Sequence, residues 1–181
     1  MSTPTRTKTI AITTTVLLAL AGVGRAGANE TTSLALDAMD AAVVRFIEIC
    51  ADLGGDKADT IARHVRALGS ALAAVDKVVG TDADTKKVGA MAREAAGVIA
   101  ANSTDLRSGD NARVRKHLFA LAKPFGRYVG WFHAGGKRWR TYFCQMAKAS
   151  WLQPASVAKL ANPYYCKKML GCGDSVRTRG E

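Results

Sequence analysis

Two stretches of the chain carry apolar residues at gaps of three and four, and this spacing decides what the chain can fold into. The first runs Leu36, Met39, Val43, Phe46, Cys50, Leu53 and resumes at Ile61, Val65, Leu68, Leu72, Val75, Val79. The second runs Val88, Met91, Ala95, Val98 and, after a polar break, Val114, Leu118, Leu121, Phe125, Tyr128, Phe132. Such gaps draw a narrow apolar seam along one side of a helix. Two seamed stretches joined by a short turn at Gly80-Thr81-Asp82 bury most easily against each other. No stretch shows period-two alternation, so the expected class is all-α. The expected architecture is a long antiparallel helical hairpin, a coiled-coil-like bundle, followed by an irregular part pinned by disulfides.

Local signals set the limits of each helix. Thr31-Thr32-Ser33 offers a cap, and the Ala-rich helix that follows is expected from about Leu34 to Leu53. From Leu53 to Ile61 the gap is eight where the repeat would give seven, and Gly54-Gly55 sits in that slip. The expectation there is one helical axis with a kink, closed at Gly80. Asp82 to Asp84 caps a helix from about Thr85 to Ala101, Ser103 to Asn111 reads as a loop, and a last helix runs from Ala112 to about Phe132. Pro124 inside it should kink or end a turn. Beyond Ala134-Gly135-Gly136, short helices and loops are expected.

The amino terminus reads as a secretory signal. Arg6 and Lys8 precede an apolar run from Ile10 to Val23, and Ala26-Gly27-Ala28 is a small-residue cleavage site. The expected organisation is a signal peptide at 1–28, a helical-hairpin domain at 29–144 and a cysteine-containing tail at 145–181. Secretion makes disulfides the default for Cys50, Cys144, Cys166 and Cys172, in any of three pairings. No CxxC pair or matched histidine spacing suggests zinc, and no cofactor is expected. Asn29-Glu30-Thr31 and Asn102-Ser103-Thr104 are glycosylation triplets; Asn102, at the end of an apolar run, is the better candidate, ahead of Asn29.

Charge is divided unevenly. Residues 29–104 carry 8 basic and 11 acidic side chains, whereas 105–181 carry 15 basic and 4 acidic. A basic cluster, Arg113, Arg115, Lys116, Lys123, Arg127, Lys137, Arg138 and Arg140, is interleaved with Tyr128, Trp131, Trp139 and Tyr142; of these Arg113, Arg115, Lys116, Lys137, Arg138 and Arg140 form the candidate anion-binding set. The bland alternative is a solvated helix face, and nucleic acid is not an expected partner of a secreted chain. No HExxH, GxSxG, P-loop or dinucleotide turn occurs, so catalysis is not expected.

Three local features bear on family. Phe46-Ile47-Glu48-Ile49-Cys50 places a cysteine early on the first helix. The Ala-rich hairpin turns near Gly80. Gly126-Arg127-Tyr128-Val129-Gly130-Trp131-Phe132 is followed by Tyr142-Phe143-Cys144. Over roughly Asn29 to Cys144 the chain resembles the amino-terminal domain of the variant surface glycoproteins of African trypanosomes. The resemblance implies an elongated homodimer at the cell surface, packed as a shielding coat, met by host antibodies and exchanged to escape them. It also implies a disulfide from Cys50 to Cys144 or Cys166. Family members carry a GPI anchor. This chain ends in a basic, polar stretch from Asp174 to Glu181, as a truncated copy would, or a diverged relative that is secreted or held by a partner. Two other functions fit a helical scaffold: a receptor or binding module taking a host ligand on the basic second half, and a secreted or periplasmic protein of bacterial type that binds an anionic surface.

Overall fold

The structure, a computed structural model, describes residues 23–133, 138–165 and 169–176, with side chains from Glu30 onward. It is mostly helical, with a small sheet beside the helices. The helices are α1 (Val23–Gly55), α2 (Ala58–Val78), α3 (Ala83–Ala101), the single turn α4 (Ser103–Leu106) and α5 (Asn111–Phe132). The strands are β1 (Trp139–Cys144), β2 (Ala149–Pro154) and β3 (Asp174–Ser175).

The four long helices run up, down, up, down. Glu48 and Asp52 of α1 face His64 and Thr60 of α2, while at the other end Gly80 lies beside Thr31, so α1 and α2 are antiparallel. Asp76 pairs with Arg93 across α2 and α3, and Glu94 with Arg127 across α3 and α5. Phe46 stacks on Phe125 with ring centroids 4.8 Å apart, joining α1 to α5. Both apolar seams are buried as the spacing predicts. Met39, Val43, Phe46, Leu53, Leu68, Val114, Leu118 and Phe125 are fully shielded from solvent. Asp82 and Asp110 cap α3 and α5, each accepting from two backbone N–H groups. α5 runs unbroken through Pro124, and the expected loop after α3 contains the turn α4.

Three expectations are corrected. The first concerns the slip at Gly54-Gly55, which is the turn of a helical hairpin and not a kink. Asp56 takes φ +60°, Lys57 N–H reaches back to Asp52 O at 2.9 Å, and Asp56 N–H to Leu53 O at 3.3 Å. That is a left-handed helix stop, which reverses the chain. The arm read as one long rod is therefore two packed helices; α2, at 21 residues, is about 30 Å long at 1.5 Å per residue.

Second, the fold is not purely all-α. β1 pairs antiparallel with β2 (Thr141 opposite Leu152, Tyr142 opposite Trp151) and with β3, giving the order β2-β1-β3. β2 packs on α1 and α5. Trp139, Thr141, Tyr142, Cys144, Ala149, Trp151, Leu152 and Gln153 are all buried. With both faces covered, the strands have no need to alternate polar with apolar.

Third, no disulfide pins the described part of the tail. Cys50, Cys144 and Cys172 are free, and Cys166 lies outside the described residues. Side-chain hydrogen bonds hold the segment instead. Gln153 Nε2 donates to Val157 O at 2.9 Å, Asn162 Nδ2 to Cys172 O at 2.7 Å, and Tyr164 Oη to Ser150 O at 2.7 Å. Among the described residues, no helix is long and apolar enough to cross a membrane.

Leu68, fully buried between the helices, should lose about 2–5 kcal/mol of stability on truncation to Ala. Urea melts of the variant measure this directly, and a loss below about half a kcal/mol would remove the α2 seam from the core.

Candidate functional site

α5 has two faces that attract apolar matter. One is the buried seam. The other carries Phe119, Ala122, Lys123, Gly126, Arg127, Gly130 and Trp131, at gaps of three and one, a helical stripe of its own. This second face lines one wall of a cleft of about 390 Å³, and Thr141, Ser150 and Val176 line the other. The strand register places Thr141 and Ser150 on the same side of the β1–β2 hairpin. Gly126 and Gly130, one turn apart, leave the helix backbone bare: a Cβ added at either would meet nothing within 4 Å. Phe119 is 47% exposed and Trp131 57%, large values for such rings on a packed helix.

The polar groups in the cleft are few. Arg127 is paired with Glu94. Lys123, exposed on the rim, has no partner among the described residues. Thr141 is only 8% exposed, and its Oγ1 is buried with no hydrogen-bond partner. An unpaired buried hydroxyl costs about 1–3 kcal/mol. A cavity of this size lies within the range of small-molecule sites, roughly 300–1,000 Å³.

A second constellation has the residue types of an active site but is closed on itself. The Asp40 carboxylate, buried on α1, accepts from Tyr128 Oη at 2.5 Å, meets His133 Nε2 at 2.8 Å and pairs with Arg138. Burial and the adjacent Asp40 carboxylate push the Tyr128 phenol far above its usual range. These groups bind one another and tie α1 to α5 and to the start of β1. His64 sits similarly between Glu48 (2.9 Å) and Asp52 (3.3 Å), and His117 beside Asp105 (2.8 Å). The hydrogen bond from His117 holds the Asp105 carboxyl below the usual carboxylate range. Each histidine joins neighbouring elements.

The candidate anion-binding residues do not gather in one patch. Arg113, Arg115 and Lys116 are at the start of α5, whereas Arg138 and Arg140 are past its far end, about 30 Å away by helical rise. Arg115 is used internally: its Nη2 donates to Leu53 O at 2.7 Å and Asp56 Oδ1 at 3.0 Å, and its Nε to Pro163 O at 2.8 Å. Arg113 lies near Asp105 and Asp110, and Arg138 is taken by Asp40. Lys116 and Arg140 are exposed; Lys137 lies outside the described residues. Asn102 is half-buried at the end of α3, its Nδ2 donating to Val98 O at 2.9 Å. Asn29 lies within α1, and its side chain is outside the described part. Cys50 is buried beside Leu152, and burial pushes its thiol up out of the reactive range.

The cleft itself was missed by the seam reading. The one signal available was Phe119 and Trp131, two large rings off the seam and on a common face of α5. No protein-family model matches the chain, and neither a curated relative nor a solved structure was found to match it.

Thr141→Val should raise stability by about 1 kcal/mol, because it removes a buried hydroxyl that has no partner and keeps the strand shape. Thermal melts of the free protein check this; a drop in Tm would mean that the hydroxyl is satisfied.

Proposed function

We propose that the chain is a non-catalytic binding module that seats an amphipathic carboxylate, an alkyl chain with an acidic head, in the cleft between α5 and the sheet. The observation that carries this reading is the combination of a bare apolar floor at Ala122, Gly126 and Gly130 with two unpaired polar groups, the Lys123 ammonium and the Thr141 hydroxyl. Apolar surface supplies affinity without direction, and a few placed polar groups fix orientation. The charge at the rim is positive, so the complementary head is an anion. Phe119 and Trp131 flank the stripe and are covered once an alkyl chain lies on it. The reading belongs with the receptor or binding-module class and asks nothing of the basic residues at the ends of α5.

The test uses laurate and the intrinsic tryptophan signal. Trp139 and Trp151 are 3% and 1% exposed, so the exposed Trp131 reports on the cleft. Laurate should give a saturable blue shift, and decanol, with the chain but no charge, a weaker one. Gly126→Leu, whose Cβ would meet nothing within 4 Å, puts an alkyl side chain into the cleft and should abolish binding. Lys123→Ser should weaken it by about tenfold, equivalent to about 1.4 kcal/mol. Equal response to the alcohol, or undiminished binding by Gly126→Leu, would overturn the assignment.

A second reading, a surface coat glycoprotein, draws on Asn102. Its triplet lies at the corner between α3 and α4, at the end of the bundle and partly accessible. On that reading, protein secreted from eukaryotic cells carries a glycan that N-glycosidase removes, and Asn102→Gln migrates with the deglycosylated form. Identical mobility of treated and untreated wild type would end it.

A further inference from the structure

We propose that Cys144 and Cys172 form a reversible dithiol–disulfide site that exchanges with low-mass or protein disulfides and, when oxidised, locks the 169–176 segment onto β1. This rests on the geometry of the two cysteines and not on what the cleft binds. Cys144 ends β1 and is fully buried; Cys172 lies 28 residues further on and is partly exposed. Their sulfurs are 3.0 Å apart, in hydrogen-bond contact.

Both sulfurs are held by rigid surroundings. The buried Asn162 side chain donates to Cys172 O at 2.7 Å, and Asn162 N–H donates to Leu170 O at 3.1 Å. Gly173, at φ +149°, lies flat on the Trp151 ring, where an added Cβ would come within 2.2 Å of the indole. β3 then pairs with β1, and Val176 N–H donates to Thr141 O at 2.8 Å. Little chain entropy remains to be lost when the sulfur–sulfur bond closes.

The two thiols divide the chemistry. Burial works against ionising Cys144, but hydrogen bonds from the Cys172 thiol, the Ala147 N–H and the Asn162 side chain outweigh it and hold Cys144 below the usual thiol value. Cys172 is raised, chiefly by its hydrogen bond to Cys144. A reagent disulfide can arrive only at the exposed sulfur. The Cys172 thiol gives its proton to solvent, and the thiolate attacks one sulfur of RS–SR, forming a mixed disulfide and releasing RS⁻. The Cys144 thiolate, its own proton lost, then attacks Cys172 Sγ, forming the Cys144–Cys172 bond and releasing the second RS⁻. Two electrons and two protons leave the protein, and the reagent disulfide becomes two thiols.

The test equilibrates the full chain with oxidised and reduced glutathione, blocks free thiols under denaturing conditions and digests with trypsin. The expected product joins peptide 141–148 to peptide 169–177, in wild type and in Cys50→Ser alike, and returns to two blocked thiols in excess reduced glutathione. Hydrogen exchange gives a second readout: the Val176 amide should exchange about tenfold more slowly in the oxidised protein than in the reduced one, and the difference should vanish in Cys172→Ser. Glutathione retained on Cys172 with Cys144 still free would overturn the proposal. So would a link from Cys172 to Cys166 or Cys50.

Discussion

The arrangement of the non-helical part depends on one buried carboxylate. Asp40 points from α1 into the interior, and a charge taken out of water costs several kcal/mol unless close partners replace the lost hydration. Its partners come from three places: Tyr128 on α5, His133 at the cap of α5, and Arg138 just before β1. The requirement to satisfy Asp40 therefore fixes where α5 ends and where the chain must return to begin the sheet. Edge contacts of the His133 ring with Tyr128 and Trp139 continue the same joint, with centroids 5.3 and 4.8 Å apart. At the carboxy-terminal end of α1, Arg115 performs a matching task. Its guanidinium donates to the carbonyl of Leu53 in the last turn of α1, to the carboxylate of the left-handed Asp56 and to the carbonyl of Pro163. Between these two knots, α5 and the tail have little freedom to slide along α1.

The helices were legible in the sequence because their burial is one-sided. Leu36 to Leu53 and Val114 to Phe132 each present a single stripe to one core, and the three-four spacing records it. The hairpin between α1 and α2 was not legible in the same way. Both helices face the same core, so their stripes nearly continue across the turn, and a gap of eight resembles a slipped heptad. What reverses the chain is the φ of Asp56, and its stabilising partners, Arg115 and Asn111, are more than fifty residues away. A local pattern cannot report a turn that is held by distant side chains.

The sheet and the cleft were hidden by a different cause. Strands buried on both faces lose the alternation that identifies them, and Trp-Arg-Thr-Tyr-Phe-Cys gives no period. The tail's order is also not a matter of covalent staples in the described residues. Gln153 and Asn162, two amides in an unpromising stretch, satisfy the carbonyls of Val157, Lys159 and Cys172. Charge counting located the basic half correctly but not its use. Arg115 and Arg138 spend their charge on Asp56 and Asp40, and the rim cation that faces a cavity, Lys123, lies outside the candidate set.

Natural sequences agree with their folds at most levels, and departures collect where something other than stability is selected. On this chain several departures border one cleft. Two glycines sit mid-helix in α5, where each costs about 0.5–1 kcal/mol relative to Ala, with no close neighbour that would require them. Phe119 and Trp131 are about half exposed beside the cleft, Trp131 with the Lys87 ammonium 4.7 Å from its ring centroid, and the Thr141 hydroxyl opposite is buried with no partner among the described residues. A slender apolar chain with a polar head, filling the cleft, would cover both rings and the bare backbone at Gly126 and Gly130. Open mid-helix glycines also occur at Gly69 and Gly97, and Leu34 and Val44 are exposed on α1; what sets α5 apart is that its glycines and rings border one cleft. That shared cleft is the feature on which the binding proposal rests.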